Sequence, residues 1–145
     1  MGYHKGEVYT GKGKFTLGSL PPSWKGPHII RKQLVYDNDP IDGTILSDAL
    51  CGPKFLDAPL PRLAKDLFEQ MGNEKMGRIK EFMLDGRAAV RLQGVGSIDG
   101  VLIQMDVVVM KKDFCVYDFV YFAPPKTFAK GISDFEGYFN GFQTR

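Results

Sequence analysis

Histidine, cysteine and surplus charge are all scarce in this chain, and each shortage excludes a class of function. Two histidines are present, His4 and His28, each close to Gly or Pro in a loop-forming context. With no H-x-x-x-H and no C-x-x-C spacing, the chain offers no ready ligand set for zinc. Its 19 basic residues are matched by 17 acidic ones, and the net charge of +2 is dispersed. That balance excludes the basic face of a nucleic-acid or anionic-membrane binder. Long apolar runs are missing too. The aliphatic run at 107–110 falls far short of the ~20 residues a membrane-spanning helix needs. Residues 1–6 carry no hydrophobic signal segment, and Gly6 stands where a myristoylation pattern needs Ser or Thr. Two readings follow: a cytoplasmic protein, or the mature part of an exported one.

The two cysteines, Cys51 and Cys115, bear on that choice. A disulfide would close a loop of about sixty residues, worth ~4 kcal/mol in the chain-entropy model. Two free buried thiols are the alternative, because a bridge demands close Cα atoms and converging side chains. As a nucleophile, Cys115 would have to find His28 as its base.

What the chain does hold is a meander. Its 145 residues suit one domain, 1–145, able to bury roughly two-thirds of the unfolded surface. The organising stretch is 84–122. Asp85-Gly86 is a tight-turn pair, and Ala88, Val90 and Leu92 then alternate with Arg87, Arg91 and Gln93. A Gly-rich turn at 94–100 leads to an aliphatic strand at 101–110 and an aromatic one at 115–122. Such alternation with Gly and Asp punctuation predicts consecutive antiparallel strands. A two-residue Asp85-Gly86 loop would set Glu81 opposite Val90, so a bulge or longer turn is an alternative there. Shorter strands are expected at 7–10, 14–17, 32–36, 43–50 and 79–84, with a polar connector at 73–78.

Two helices are predicted. Leu60, Leu63, Ala64, Leu67, Phe68 and Met71 form one apolar stripe, with Asp57 as a cap and Gly72-Asn73 as a stop. Ser133 and Glu136 have capping-box spacing before Phe135, Tyr138, Phe139 and Phe142. Gly137 and Gly141, poor helix formers, would let that helix approach another element closely. The fold class is α+β: an α/β/α sandwich around a central antiparallel sheet, with a curled barrel-like sheet as second choice. Apolar residues on both faces of 101–110 ask for cover on both sides.

Several motifs bear on chemistry. Gly6, Gly11 and Lys12 fit G-x-x-x-x-G-K, but Gly13 replaces the magnesium-binding Ser or Thr and no helix pattern follows. Asp37, Asp39 and Asp42 crowd one turn but depart from the calcium-loop pattern at Ile41 and Gly43, so a solvated turn is expected. No cofactor is implied. Asp106 and Asp118 interrupt the apolar hairpin and would face opposite sides if Met110 paired with Cys115. Buried carboxylates need partners, and Arg87 or Arg91 could serve one of them. The functional alternative is a carboxylate in a ligand-cavity wall. Tyr117, Phe119 and Tyr121 are core if a helix covers them and an interaction surface if it does not.

The stretch from Phe15 through Pro21 and Pro22 to Trp24, the turn Leu84-Asp85-Gly86-Arg87-Ala88, and the closing 135–142 segment together resemble the PsbP-like fold family. That family includes an extrinsic photosystem II subunit, a Ran-binding protein and exported bacterial lipoproteins. The resemblance implies an α/β/α sandwich and a non-enzymatic binding or assembly role, and it transfers no functional residues. It favours the periplasm or cell envelope over the cytoplasm, with membrane contact only through a lipid anchor lost with a leader. The expected partner is an unidentified protein or small ligand. The alternative function is a small-ligand or lipid carrier with a cavity between sheet and helix.

Overall fold

Five two-residue turns, counted among the described residues, set the strand pairing. The computed structural model describes every residue except 12, 71, 72 and 145, and the backbone alone at 73 and 74. The turns are Lys5-Gly6, Arg31-Lys32, Asp85-Gly86, Asp99-Gly100 and Asp113-Phe114, and both residues of each have positive φ. That conformation matches the twist of the strands it joins, which is why Asp-Gly recurs there. The resulting strands are β1 (Gly2–His4), β2 (Glu7–Thr10), β3 (Gly13–Thr16), β4 (Lys25–Ile30), β5 (Gln33–Asn38) and β6 (Gly43–Cys51). They continue with β7 (Asn73–Met76), β8 (Lys80–Leu84), β9 (Arg87–Ile98), β10 (Val101–Lys112), β11 (Cys115–Ala123) and β12 (Gln143–Thr144). The helices are α1 (Leu60–Gln70), α2 (Pro125–Phe128) and α3 (Ile132–Asn140).

Eight strands form the central antiparallel sheet in the order β4-β5-β6-β11-β10-β9, with β7 and β8 both paired to β9. A small sheet, β1-β2-β3-β12, lies apart from it. α1 covers one face, where Ala64 and Phe68 pack with Val90, Leu92, Val107 and Val109. α2, α3 and the small sheet cover the other, through Val8, Phe15, Phe128, Phe135 and Phe139. The fold is therefore an α/β/α sandwich, and it answers the two-sided apolar pattern of β10 and β11. Burying each large side chain of that core stabilises the fold by about 1.5–3 kcal/mol. Among the described residues no helix is long and apolar enough to cross a membrane.

Several expectations change. Residues 94–98 are strand, so the turn after β9 contracts to Asp99-Gly100. The β10–β11 hairpin pairs Lys112 with Cys115, and Met110 lies opposite Tyr117. This two-residue shift preserves the faces, so Asp106 and Asp118 still point to opposite sides. Glu81 does sit opposite Val90 without a bulge, and it is solvent-exposed on the edge strand β8. Residues 73–76 pair with β9 and are not a connector. The predicted capping box does not form: α3 begins at Ile132 with Gly131 at its N-cap, which puts Ser133 inside the helix, and Glu136 pairs with Arg91. Lys12 of the G-x-x-x-x-G-K match, Met71 of the α1 stripe and Gly72 of its stop lie outside the described residues.

Candidate functional site

Tyr117, Phe119 and Tyr121 are core residues, which corrects their expected role as an interaction surface. Each is at most 5% exposed. α3 and the residues just after it close over them: the Phe142 ring lies tilted 4.7 Å from Tyr117 and edge-on 5.7 Å from Phe119, and Phe135 of α3 lies 5.7 Å from Tyr121. The Tyr121 hydroxyl donates to the Phe128 carbonyl at 2.8 Å. Burial pushes that hydroxyl up to about 12. The aromatic stripe of α3 and that of β11 satisfy each other, and no surface is left over.

On the same face Asp106 is fully buried and fully partnered. Arg91 Nε donates to both of its carboxylate oxygens at 2.9 and 3.1 Å, Arg91 Nη2 adds a third bond, and Gln93 donates a fourth at 3.0 Å. Arg91 Nη1 reaches Glu136 on α3 at 2.8 Å. The guanidinium thus ties β9, β10 and α3 together in the bidentate geometry that suits buried pairs. Arg87, the other expected partner, approaches Asp113 at 3.9 Å on the surface.

Asp118 faces α1 and has no such cation. It lies directly across from Asp48 of β6, and Asp118 is 7% exposed. Gln33 of β5 donates to Asp48 Oδ2 at 3.4 Å, while Asp48 Oδ1 is sealed from solvent with no donor. Burial, then the neighbouring Asp48, push the Asp118 carboxyl up to about 8. Burial raises Asp48 as well, against the hydrogen bonds from Asp118 and Gln33. The pair can hold one proton between them, as close carboxyls do. Lys111 leans toward this face, but its ammonium is taken by the carbonyls of Leu56 and Ala58.

The two carboxyls line a groove of about 350 Å³ between α1 and the sheet. Leu50, Phe55, Leu63 and Leu67 supply its apolar walls. Asp48 was missed in the sequence, although it interrupts the Leu46-x-x-x-Leu50 face of its strand. What no local pattern holds is that β6 pairs with β11, a partner reached 64 residues on through the cysteines.

Those cysteines are also directly opposite, with Cα atoms 4.0 Å apart and the sulfurs joined. Cys115 is therefore no free nucleophile. His28 sits on the edge strand β4, three strands from β11, and His4 lies in the small sheet. Asp37 accepts a hydrogen bond from Thr44 at 3.0 Å within a turn that gathers no oxygen cage. Among the described residues no three His, Cys, Asp or Glu side chains group as metal ligands do.

No family model and no curated protein matches the chain. Solved structures do. PA94 of Pseudomonas aeruginosa, a protein of unknown function and putative regulator, superposes with a TM-score of 0.60 at 13% identity, covering 90% of each chain. LpqN of Mycobacterium tuberculosis, involved in cell envelope biogenesis, gives 0.57 at 20% identity over 95% of this chain and 87% of its own. Cyanobacterial PsbP from Synechocystis sp. PCC 6803 gives 0.60 at 12% identity over 91% and 86%. Likeness at these identities establishes the fold, and the fold is PsbP-like.

Proposed function

We propose that this chain is a non-enzymatic binding module of the bacterial cell envelope that carries a small ligand in the groove between α1 and the central sheet. The groove itself carries the reading: about 350 Å³ of space, walled by Leu50, Phe55, Leu63 and Leu67 and lined by the half-buried Asp48 and the buried Asp118. Small-ligand sites combine apolar walls with convergent polar groups, and about half of the residues lining this groove are polar or charged. A protein partner held on the aromatic hairpin is disfavoured, because Tyr117, Phe119 and Tyr121 are core. The bridged Cys115 speaks against covalent catalysis by that sulfur. Disulfides persist in oxidising compartments, which supports an envelope location, as does likeness to LpqN with its part in envelope biogenesis.

Native mass spectrometry of the protein recovered from its own envelope fraction tests the reading. The expected result is a species heavier than the 16.2 kDa chain by a small-molecule mass, lost in a Leu67→Trp variant that fills the groove. Recovery of the bare chain alone would overturn it.

A further inference from the structure

The polar lining of the groove narrows the chemistry of its ligand. Asp48 and Asp118 are direct cross-strand partners, where like charges repel and both cannot ionise without a counter-cation. None of the ion pairs among the described residues reaches either carboxyl. The neighbouring donors are accounted for. Gln33 from β5 gives one neutral hydrogen bond to Asp48, and Lys111 from β10 is bound to backbone carbonyls. Asp57 and Asp66 add negative charge at the rim, the latter tied to Arg62 at 3.1 Å. Lys54 is the one cation among the described lining residues, and its ammonium sits 4.9 Å over the Phe55 ring. Acceptors exceed donors here: four carboxylate oxygens share the one proton between the pair and the Gln33 amide.

We infer that the groove takes an amphipathic organic cation, with its ammonium or guanidinium head held by Asp48 and Asp118 and its apolar body against Leu50, Phe55, Leu63 and Leu67. This names the ligand class of the carrier reading and rests on it. A multidonor head supplies the hydrogen bonds that the acceptor-rich pair lacks, and charge-assisted bonds of this kind are the strong ones. Binding releases the proton the pair otherwise shares to solvent, so the carboxyls become two anions around one cation. A bare metal ion is a poorer fit, since the described residues bring no third acidic or imidazole ligand to the pair.

Calorimetric titration of the oxidised full chain with octylguanidinium, octanol and octanoate tests the assignment. The guanidinium stays charged at every working pH. Octylguanidinium should bind about tenfold or more tighter than octanol at pH 9, with octanoate weakest. Its affinity should rise from pH 6 to pH 9, with release of about one proton at pH 6. Asp118→Asn and, independently, Asp48→Asn should abolish the proton release and weaken the preference, and the double variant should abolish the preference. Leu67→Trp should block all three probes. Equal binding of the three probes, blocked by Leu67→Trp, would overturn the cation assignment and leave the carrier reading intact. A preference for octylguanidinium that survives undiminished in the folded Asp48→Asn/Asp118→Asn double variant would overturn it as well. So would no binding of any probe, while the mass of the native species judges the carrier reading separately.

Discussion

Asp106 and Asp118 lie on adjacent strands and are buried on opposite faces, one beside a guanidinium and one beside another carboxyl. The first is structural. Arg91→Leu would leave Asp106 without its cation at full burial and should lower stability by about 3–5 kcal/mol in urea denaturation. Replacing both residues by Leu should recover much of that loss, because no buried charge is then left unpaired. The second aspartate makes stability depend on pH. Its folded carboxyl titrates at about 8, above the unfolded value of about 3.9, so the folded chain holds more protons between the two. The contribution is full below about pH 4 and is lost as pH rises through about 8, with a slope of at most about 1.4 kcal/mol per pH unit for one proton. The urea midpoint should therefore fall from pH 6 to pH 9, and Asp118→Asn should flatten that dependence. Both aspartates were legible as anomalies in an apolar hairpin. Arg91 was a candidate partner on the neighbouring hairpin strand, whereas the fate of Asp118 was not legible, because Asp48 comes from β6, whose pairing with β11 no local pattern encodes.

At the scale of elements, α3 shows the same division. Its aromatic stripe was readable as an inward face, whereas the surface it meets was not. The expectation that Gly137 and Gly141 permit close approach resolves unequally. A Cβ on Gly141 would lie 2.4 Å from the Gly18 nitrogen, while one on Gly137 would meet nothing within 4 Å. The contact is instead backbone to backbone: Gly18 N–H donates to the Tyr138 carbonyl at 2.9 Å, and Gly18 is the residue with no room for a Cβ against Gly137. Gly137→Ala should thus stabilise the protein by about 0.5–1 kcal/mol through helix propensity. Gly141→Ala should destabilise it, since backbone atoms cannot move aside as a flexible side chain would. Thermal unfolding of the two variants side by side checks the contrast.

For the whole molecule, the Cys51–Cys115 bridge joins β6 to β11 at the middle of the central sheet. Constraining a loop of this separation limits the unfolded chain, and reduction should lower unfolding free energy by about 2–4 kcal/mol. Urea unfolding with and without reductant measures this, and a Cys51→Ser/Cys115→Ser double variant should match the reduced protein. The bridge also holds in register the two strands that bring Asp48 to Asp118. Reduction is therefore expected to loosen the groove before it loosens the opposite face, where the rings of Phe15, Phe135 and Phe142 hold β11 independently.

Alternation, turn chemistry and helical periodicity are short-range properties, and the sequence by itself determined what depends on them: the hairpins, the two principal helices, the need for cover on both faces of β10 and β11, and the α/β/α class. Which strand lies beside which is a long-range outcome, set when apolar faces from distant segments are buried together. Only the tertiary structure could decide that the tyrosines of β11 are core, that the cysteines meet, and that two aspartates 70 positions apart line one groove side by side.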